Sequence, residues 1–145
     1  MAGYLKAETP GLLIPTEDGW HDTGDIVTID PEGFIRIVGR AKRFAKIGGE
    51  MISLAAVEAI AGEFWPGTLS AVAALKDERK GEKLILITEA EDATKTAFQQ
   101  FAKSKGATEL SIPAEVHIAK VPVLGSGKID FVGVTNLAKE LTASR

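Results

Sequence analysis

The chain has 145 residues, of which 45% are hydrophobic and 26% charged, and a net charge of -3. That is enough for one soluble globular domain, or a small domain with an appended piece, and it excludes the broad basic face of a nucleic-acid binder. The absence of cysteine excludes disulfides, thiolate nucleophiles and thiolate metal sites, and it fits a reducing compartment.

No apolar run approaches the roughly 20 residues of a membrane span, and Met1 to Glu8 carries no signal-peptide pattern. There is no internal repeat. Residues 1–25 are rich in Gly, Pro and Thr and read as irregular structure or short strands that would struggle to bury a core alone. Ile26 to Asp30 and Phe34 to Val38 flank Pro31-Glu32-Gly33 and alternate in polarity, which predicts a β-hairpin. Arg40 to Gly49 mixes bases with two glycines and is expected to be a joint or loop. Arg40, Lys42, Arg43 and Lys46 there are candidates for a small anion site.

A helix is expected from Ser53, whose hydroxyl can cap backbone N–H groups. Its apolar face holds Leu54, Val57, Ala61 and Phe64, and Pro66-Gly67 ends it. Leu69 to Leu75 and Lys83 to Thr88 read as strands. A second helix should run from an Asp92 cap to Lys105, with Gly106 as its stop and Ala97, Phe98 and Phe101 buried. Glu115 to Ala119 reads as a strand, and a third helix covers about Phe131 to Leu141, burying Phe131, Val134, Leu137 and Leu141. The fold class is therefore α+β: a β-hairpin, a short mixed or antiparallel sheet and about three helices.

Three polar segments invite a chemical explanation. In Gly19-Trp20-His21-Asp22-Thr23-Gly24-Asp25, the Asp25 carboxylate could accept from paired hydroxyls such as those of a ribose; an ordinary turn explains the same residues. In Gly39-Arg40-Ala41-Lys42-Arg43-Phe44-Ala45-Lys46-Ile47-Gly48-Gly49-Glu50, two glycines allow backbone to approach a ligand. The Arg40 fork could meet phosphate there. A solvated basic loop with a surface Glu50 is the plainer account. In Pro122-Val123-Leu124-Gly125-Ser126-Gly127-Lys128-Ile129-Asp130, a lysine follows a flexible glycine loop. It could bring positive charge to oxygens that gain negative charge in acyl or phosphoryl transfer, or simply be exposed. It is not a P-loop, because isoleucine follows Lys128 and proline stands where the first glycine would be.

In this order the three segments resemble the adenylate-forming superfamily: acyl-CoA synthetases, luciferases and the adenylation domains of peptide synthetases. The resemblance covers residue 3 to about residue 135. It implies that 1–41 is the C-terminal tail of the large AMP-binding domain and 42–145 the mobile C-terminal lid. It further implies that Asp25 holds the ribose of ATP, that Arg40 lies near the same nucleotide, and that Lys42 is the hinge. Lys46, Gly48, Gly49 and Glu50 would line the pantetheine path, and Lys128 would be the catalytic lysine of adenylation. No metal ligand is implied in this chain. His21 is assigned no role, and His117 is expected to be structural.

The wording Gly48-Gly49-Glu50-Met51-Ile52-Ser53-Leu54-Ala55-Ala56-Val57-Glu58, with Leu124-Gly125-Ser126-Gly127-Lys128, looks like bacterial acyl-(acyl-carrier-protein) synthetases. Those are often bifunctional with 2-acylglycerophosphoethanolamine acyltransferase, in fatty-acid and phospholipid metabolism. The resemblance implies ATP with Mg, bound mainly by the large domain. It also implies a fatty-acid substrate, and acyl carrier protein or CoA presenting the phosphopantetheine thiol. The large domain of the same enzyme would be the partner, and the location cytoplasmic, with the parent free to associate with the inner membrane. Because the family's phosphate loop and acyl pocket lie in the large domain, the chain alone is expected to be inactive. The rivals are a carrier-protein docking module, the lid of another acid-activating enzyme, and a purely structural domain whose three segments are turns.

Overall fold

In the computed structural model, which describes residues 3–143, the chain opens with two antiparallel pairings. Strand β1 (Tyr4–Leu5) pairs β2 (Leu13–Ile14). Gly3 is needed there, because a Cβ on it would lie 2.3 Å from the Ile14 carbonyl oxygen. The expected hairpin is β3 (Asp25–Ile29) with β4 (Ile35–Arg40), its register running from Ile29↔Ile35 to Asp25↔Arg40 with a bulge between Ile26 and Val27. These elements form one unit, Met1–Lys42, and the rest, Arg43–Arg145, forms another. None of the described side chains of the first unit is buried, and Phe34, Ile35 and Ile37 of its hairpin are exposed.

The second unit is built on a mixed sheet ordered β6 (Glu50–Ser53), β5 (Phe44–Ile47), β8 (Gly81–Thr88) and β7 (Ser70–Asp77), with β9 (Glu115–Ile118) also paired to β8. Its first strands correct the expectation of a loop over Arg40 to Gly49. After a 3-10 turn at Ala41–Arg43, β5 (Phe44–Ile47) and β6 (Glu50–Ser53) form a hairpin. The alternation is present, with Ala45 and Ile47 buried and Lys46 exposed, but interleaved bases mask it over only four residues.

Ser53 caps α1 (Leu54–Phe64) as expected, its hydroxyl accepting from the Ala56 N–H at 3.3 Å. Strands β7 (Ser70–Asp77) and β8 (Gly81–Thr88) pair antiparallel along their whole length. Helix α2 (Lys95–Ser104) is capped by Thr94, not by Asp92: the Thr94 hydroxyl accepts from Ala97 N–H at 3.3 Å. Asp92 falls two residues too early, in the turn that Ala93 N–H closes onto the Ala90 carbonyl. The buried residues of α2 are Phe98 and Ala102, so its inner face is turned slightly from the one expected. Strand β9 (Glu115–Ile118) runs parallel to β8, and α3 (Phe131–Ala143) closes the chain.

Two apolar clusters sandwich the sheet. Leu54, Val57 and Ala61 of α1 and Phe98 of α2 pack with Val72, Leu84 and Leu86 on one face. Val134 and Ala138 of α3 pack with Ala71, Ala73, Ile85 and Ile87 on the other. Burial on both faces explains the unbroken apolar run Leu84-Ile85-Leu86-Ile87. The α+β class is thus observed, with a mixed sheet and, among the described residues, three α-helices. No helix among the described residues is long and apolar enough to cross a membrane.

Candidate functional site

In the first unit, register brings Asp25 and Arg40 together. They are cross-strand partners, and Arg40 Nε lies 2.9 Å from Asp25 Oδ1, with side chains 66% and 16% exposed respectively. Arg40 also donates from Nη1 to the Thr23 carbonyl at 2.8 Å. The turn before β3 is self-satisfied. Gly24 N–H donates to Asp22 Oδ1 at 2.7 Å, Asp25 N–H to the Thr23 hydroxyl at 3.3 Å, and Ala41 N–H to the Gly24 carbonyl at 2.8 Å. The turn has its geometry here, and the neighbouring strand sets a guanidinium beside the Asp25 carboxylate. His21 meets the Tyr4 hydroxyl through Nδ1.

Lys42 is exposed and is the last residue of the first unit. Beyond it, the Lys46–Glu50 segment is the tip of the β5–β6 hairpin. Ile47 pairs Glu50 across Gly48-Gly49, which have φ of 59° and 92°. Two successive positive φ values are the signature of a type I′ turn, which glycine adopts without strain. The tip is tethered, because Gly48 N–H donates to the Lys80 carbonyl at 2.9 Å and Lys46 N–H donates to the Glu82 carboxylate. Lys46 and Glu50 are exposed. Beside the tip lies a groove of about 400 Å³ lined by Ile47, Arg79, Lys80, Lys83, Lys95 and Leu110 among others. Two of its bases are engaged: Lys83 with Glu115 at 3.1 Å and Lys95 with the Ala114 carbonyl at 2.7 Å.

Lys128 lies just before α3 in a segment that is not the flexible loop expected. Val123 and Ile129 form an isolated antiparallel bridge. Leu124 N–H donates to the Lys128 carbonyl at 2.8 Å, Gly127 N–H to the Leu124 carbonyl at 2.8 Å, and Asp130 N–H to the Pro122 carbonyl at 2.9 Å. Gly127, at φ 80°, supplies the left-handed residue of this turn. The backbone of Lys128 is therefore held while its side chain is exposed.

One residue that the sequence did not single out supports the Lys128 turn. Asp130 caps α3, its Oδ1 accepting from Val132 and Gly133 N–H, each at 3.1 Å. An aspartate directly before a helix was a usable signal. Arg43, expected as part of a small anion site, instead joins Glu58 of α1, Val72 of β7 and Phe131 of α3. His117 is half-buried on β9, with Nε2 3.0 Å from Glu115 Oε2.

No family model matches the chain. It is 35% identical over 133 residues to the mitochondrial medium-chain acyl-CoA ligase of Rattus norvegicus, which covers 89% of this chain and 22% of the relative. It is 28% identical over 130 residues to enterobactin synthase component E of Escherichia coli, covering 88% of this chain and 24% of that protein. Among solved structures, the fatty acyl CoA synthetase of Mycobacterium tuberculosis superposes with a TM-score of 0.66 at 27% identity, over 87% of this chain and 26% of that one.

The homologues are AMP-forming acid ligases. The chain spans about a quarter of the length of these adenylate-forming enzymes and corresponds to a C-terminal part of them. A closer tie to acyl-carrier-protein synthetases does not emerge from these relatives.

Proposed function

We propose that this chain is the C-terminal lid of an AMP-forming acid–thiol ligase, acting with a larger N-terminal body that binds ATP and the acid. Within that class we infer an acyl-carrier-protein synthetase coupled to 2-acylglycerophosphoethanolamine acyltransfer, with a fatty acid as substrate and cytoplasmic work at or near the inner membrane. The support for the finer identity is the wording from Gly48 to Glu58 and from Leu124 to Lys128. The observation that carries the broader proposal is Lys128. A lysine with an exposed side chain on a hydrogen-bonded turn is a charge presented from a fixed base, in a chain whose homologues are AMP-forming ligases.

In the first half-reaction the acid's carboxylate attacks the α-phosphate of ATP and pyrophosphate leaves. Lys128 would bridge the carboxylate and nucleotide oxygens, setting positive charge where negative charge is crowded together. Asp25 would accept from the ribose hydroxyls, and Arg40 would stay beside it near the same nucleotide. Among the described residues no group of three or more His, Asp or Glu could hold a metal ion.

The lid then turns about Lys42, a change that a few residues of altered φ/ψ can absorb. The Lys46-to-Glu50 tip replaces the Lys128 face. The thiol of phosphopantetheine, on acyl carrier protein or CoA, attacks the acyl carbonyl and AMP departs. Gly48 and Gly49, without Cβ atoms, would let the thin pantetheine arm pass close to backbone.

Measuring the two half-reactions separately in the complete enzyme tests this. Lys128→Ala should slow acyl-adenylate formation by roughly 10²–10³-fold, the usual effect of losing one preorganised electrostatic contact. Thioester formation from supplied acyl-adenylate should be spared. Equal losses in both steps would reduce Lys128 to a support of the fold, and an unchanged first step would remove it from the mechanism.

A further inference from the structure

Strand β7 ends the sheet, so one side of its backbone has no neighbouring strand. At Val72 that side is filled by two side chains. Glu58 of α1 accepts from the Val72 N–H at 2.8 Å, and Arg43 donates from Nη1 to the Val72 carbonyl at 3.1 Å. Arg43 Nη2 also pairs with the same Glu58 oxygen, and both side chains are only 16% exposed. The guanidinium carbon of Arg43 then lies over Phe131, 3.7 Å from the ring centroid. Phe131 was expected in the core. Instead it is 39% exposed and forms the floor of this cluster.

The helices joined here lie on opposite faces of the sheet, α1 with one apolar cluster and α3 with the other. Arg43 therefore reaches around an open strand edge and ties both layers. Its position in the chain gives that tie a use. It directly follows Lys42, and Phe131 stands three residues after Lys128. An arginine suits this place as lysine does not, because one planar group can donate in a fork and stack on a ring at once.

We propose that Arg43 is the positioning residue for Lys128. It locks the first residue beyond the hinge to the turn that presents the lysine, so that rotation at Lys42 moves Lys128 as a rigid body. This rests on the role proposed above for Lys128. Misplacing a catalytic group by about 1 Å can lower a rate 10²-fold, so a small loosening of the α3 N-terminus is enough to matter.

Two measurements test it. The first needs no catalysis. In this 145-residue chain, amide exchange at Leu124, Gly127 and Asp130 reports the turn and exchange at Leu86 reports the sheet. Arg43→Met should speed exchange at the three turn amides at least about 10-fold relative to Leu86. Phe131→Leu, which removes only the stacking surface and leaves the ion pair, should give the same pattern more weakly. An unchanged turn in both variants, or equal acceleration at Leu86, overturns the proposal whatever Lys128 does.

The second measurement uses the complete enzyme. Arg43→Met should slow acyl-adenylate formation by roughly 10- to 100-fold and leave thioester formation from supplied acyl-adenylate within about threefold, with Arg43→Lys intermediate. Equal loss in both half-reactions would mean that Arg43 only stabilises the fold, which also overturns the proposal. If Lys128→Ala has no effect while the exchange pattern holds, the clasp stands and the catalytic assignment of Lys128 is what fails.

Discussion

At the scale of single residues, the turn before α3 shows how little freedom surrounds Lys128. Gly133 lies in the first turn of α3, and a Cβ on it would sit 2.7 Å from Asp130 Oδ2 and 3.0 Å from Pro122 Cβ. Glycine is used here for close approach, and not for a left-handed backbone. Alanine is better than glycine in a helix by about 1 kcal/mol. The added methyl must push on a capping carboxylate and a rigid proline ring, an overpacking that typically costs about 1–3 kcal/mol. The clash should win, and Gly133→Ala should lower stability by on the order of 1 kcal/mol in urea titration. A gain in stability would show that the cap gives way and that the turn is softer than its hydrogen bonds suggest.

At the scale of elements, the parallel pairing of β8 with β9 carries a half-buried charge cluster. Lys83 Nζ lies 3.1 Å from Glu115 Oε1, and His117 Nε2 lies 3.0 Å from Oε2. Burial raises the Glu115 pKa, but the hydrogen bonds and charges of Lys83 and His117 outweigh it and hold the carboxyl below its ordinary 4.5. The folded state then binds fewer protons than the unfolded state in acid. The stabilisation is full above the ordinary carboxylate pKa and is lost as pH falls through the folded value. Glu115→Gln should therefore flatten the acid side of the stability-against-pH curve, below about pH 4.5, when unfolding is followed by circular dichroism. A curve parallel to that of the unmodified chain would mean that other carboxylates govern its acid sensitivity. In the β5–β6 hairpin, register places Lys46 opposite Met51 on the exposed face and Ala45 opposite Ile52 on the buried one.

At the scale of the whole molecule, the division into two units falls after Lys42, and the proposed mechanism asks that residue to act as a pivot. Lys42→Pro would fix φ near -65° and remove a backbone donor. In the complete enzyme it should slow thioester formation much more than acyl-adenylate formation, because only the second step requires the lid to turn. Wild-type rates in both steps would show that the pivot lies elsewhere. The exposed apolar side chains of the first unit, Phe34, Ile35 and Ile37 among them, fit the same proposal, since a larger N-terminal body would have surface to cover them.

The sequence by itself determined the α+β class, the hairpin about Pro31-Glu32-Gly33, the Ser53 cap and the order of the three polar segments. Each of these is written in local signals: alternation, a capping hydroxyl, glycines at turns. It also carried the likeness to adenylate-forming enzymes, which needs only residue types in order. Tertiary structure decided what depends on residues far apart. It turned the expected basic joint into a strand pair, because Ala45 and Ile47 are buried among residues distant in the chain and Ile47 pairs with Gly81. It replaced Asp92 by Thr94 as a cap, since the turn at Ala90 leaves the helix nowhere earlier to start. It also drew Arg43, Glu58, Val72 and Phe131 to one strand edge. No local pattern could announce that cluster, because the edge of β7 exists only once the sheet has assembled.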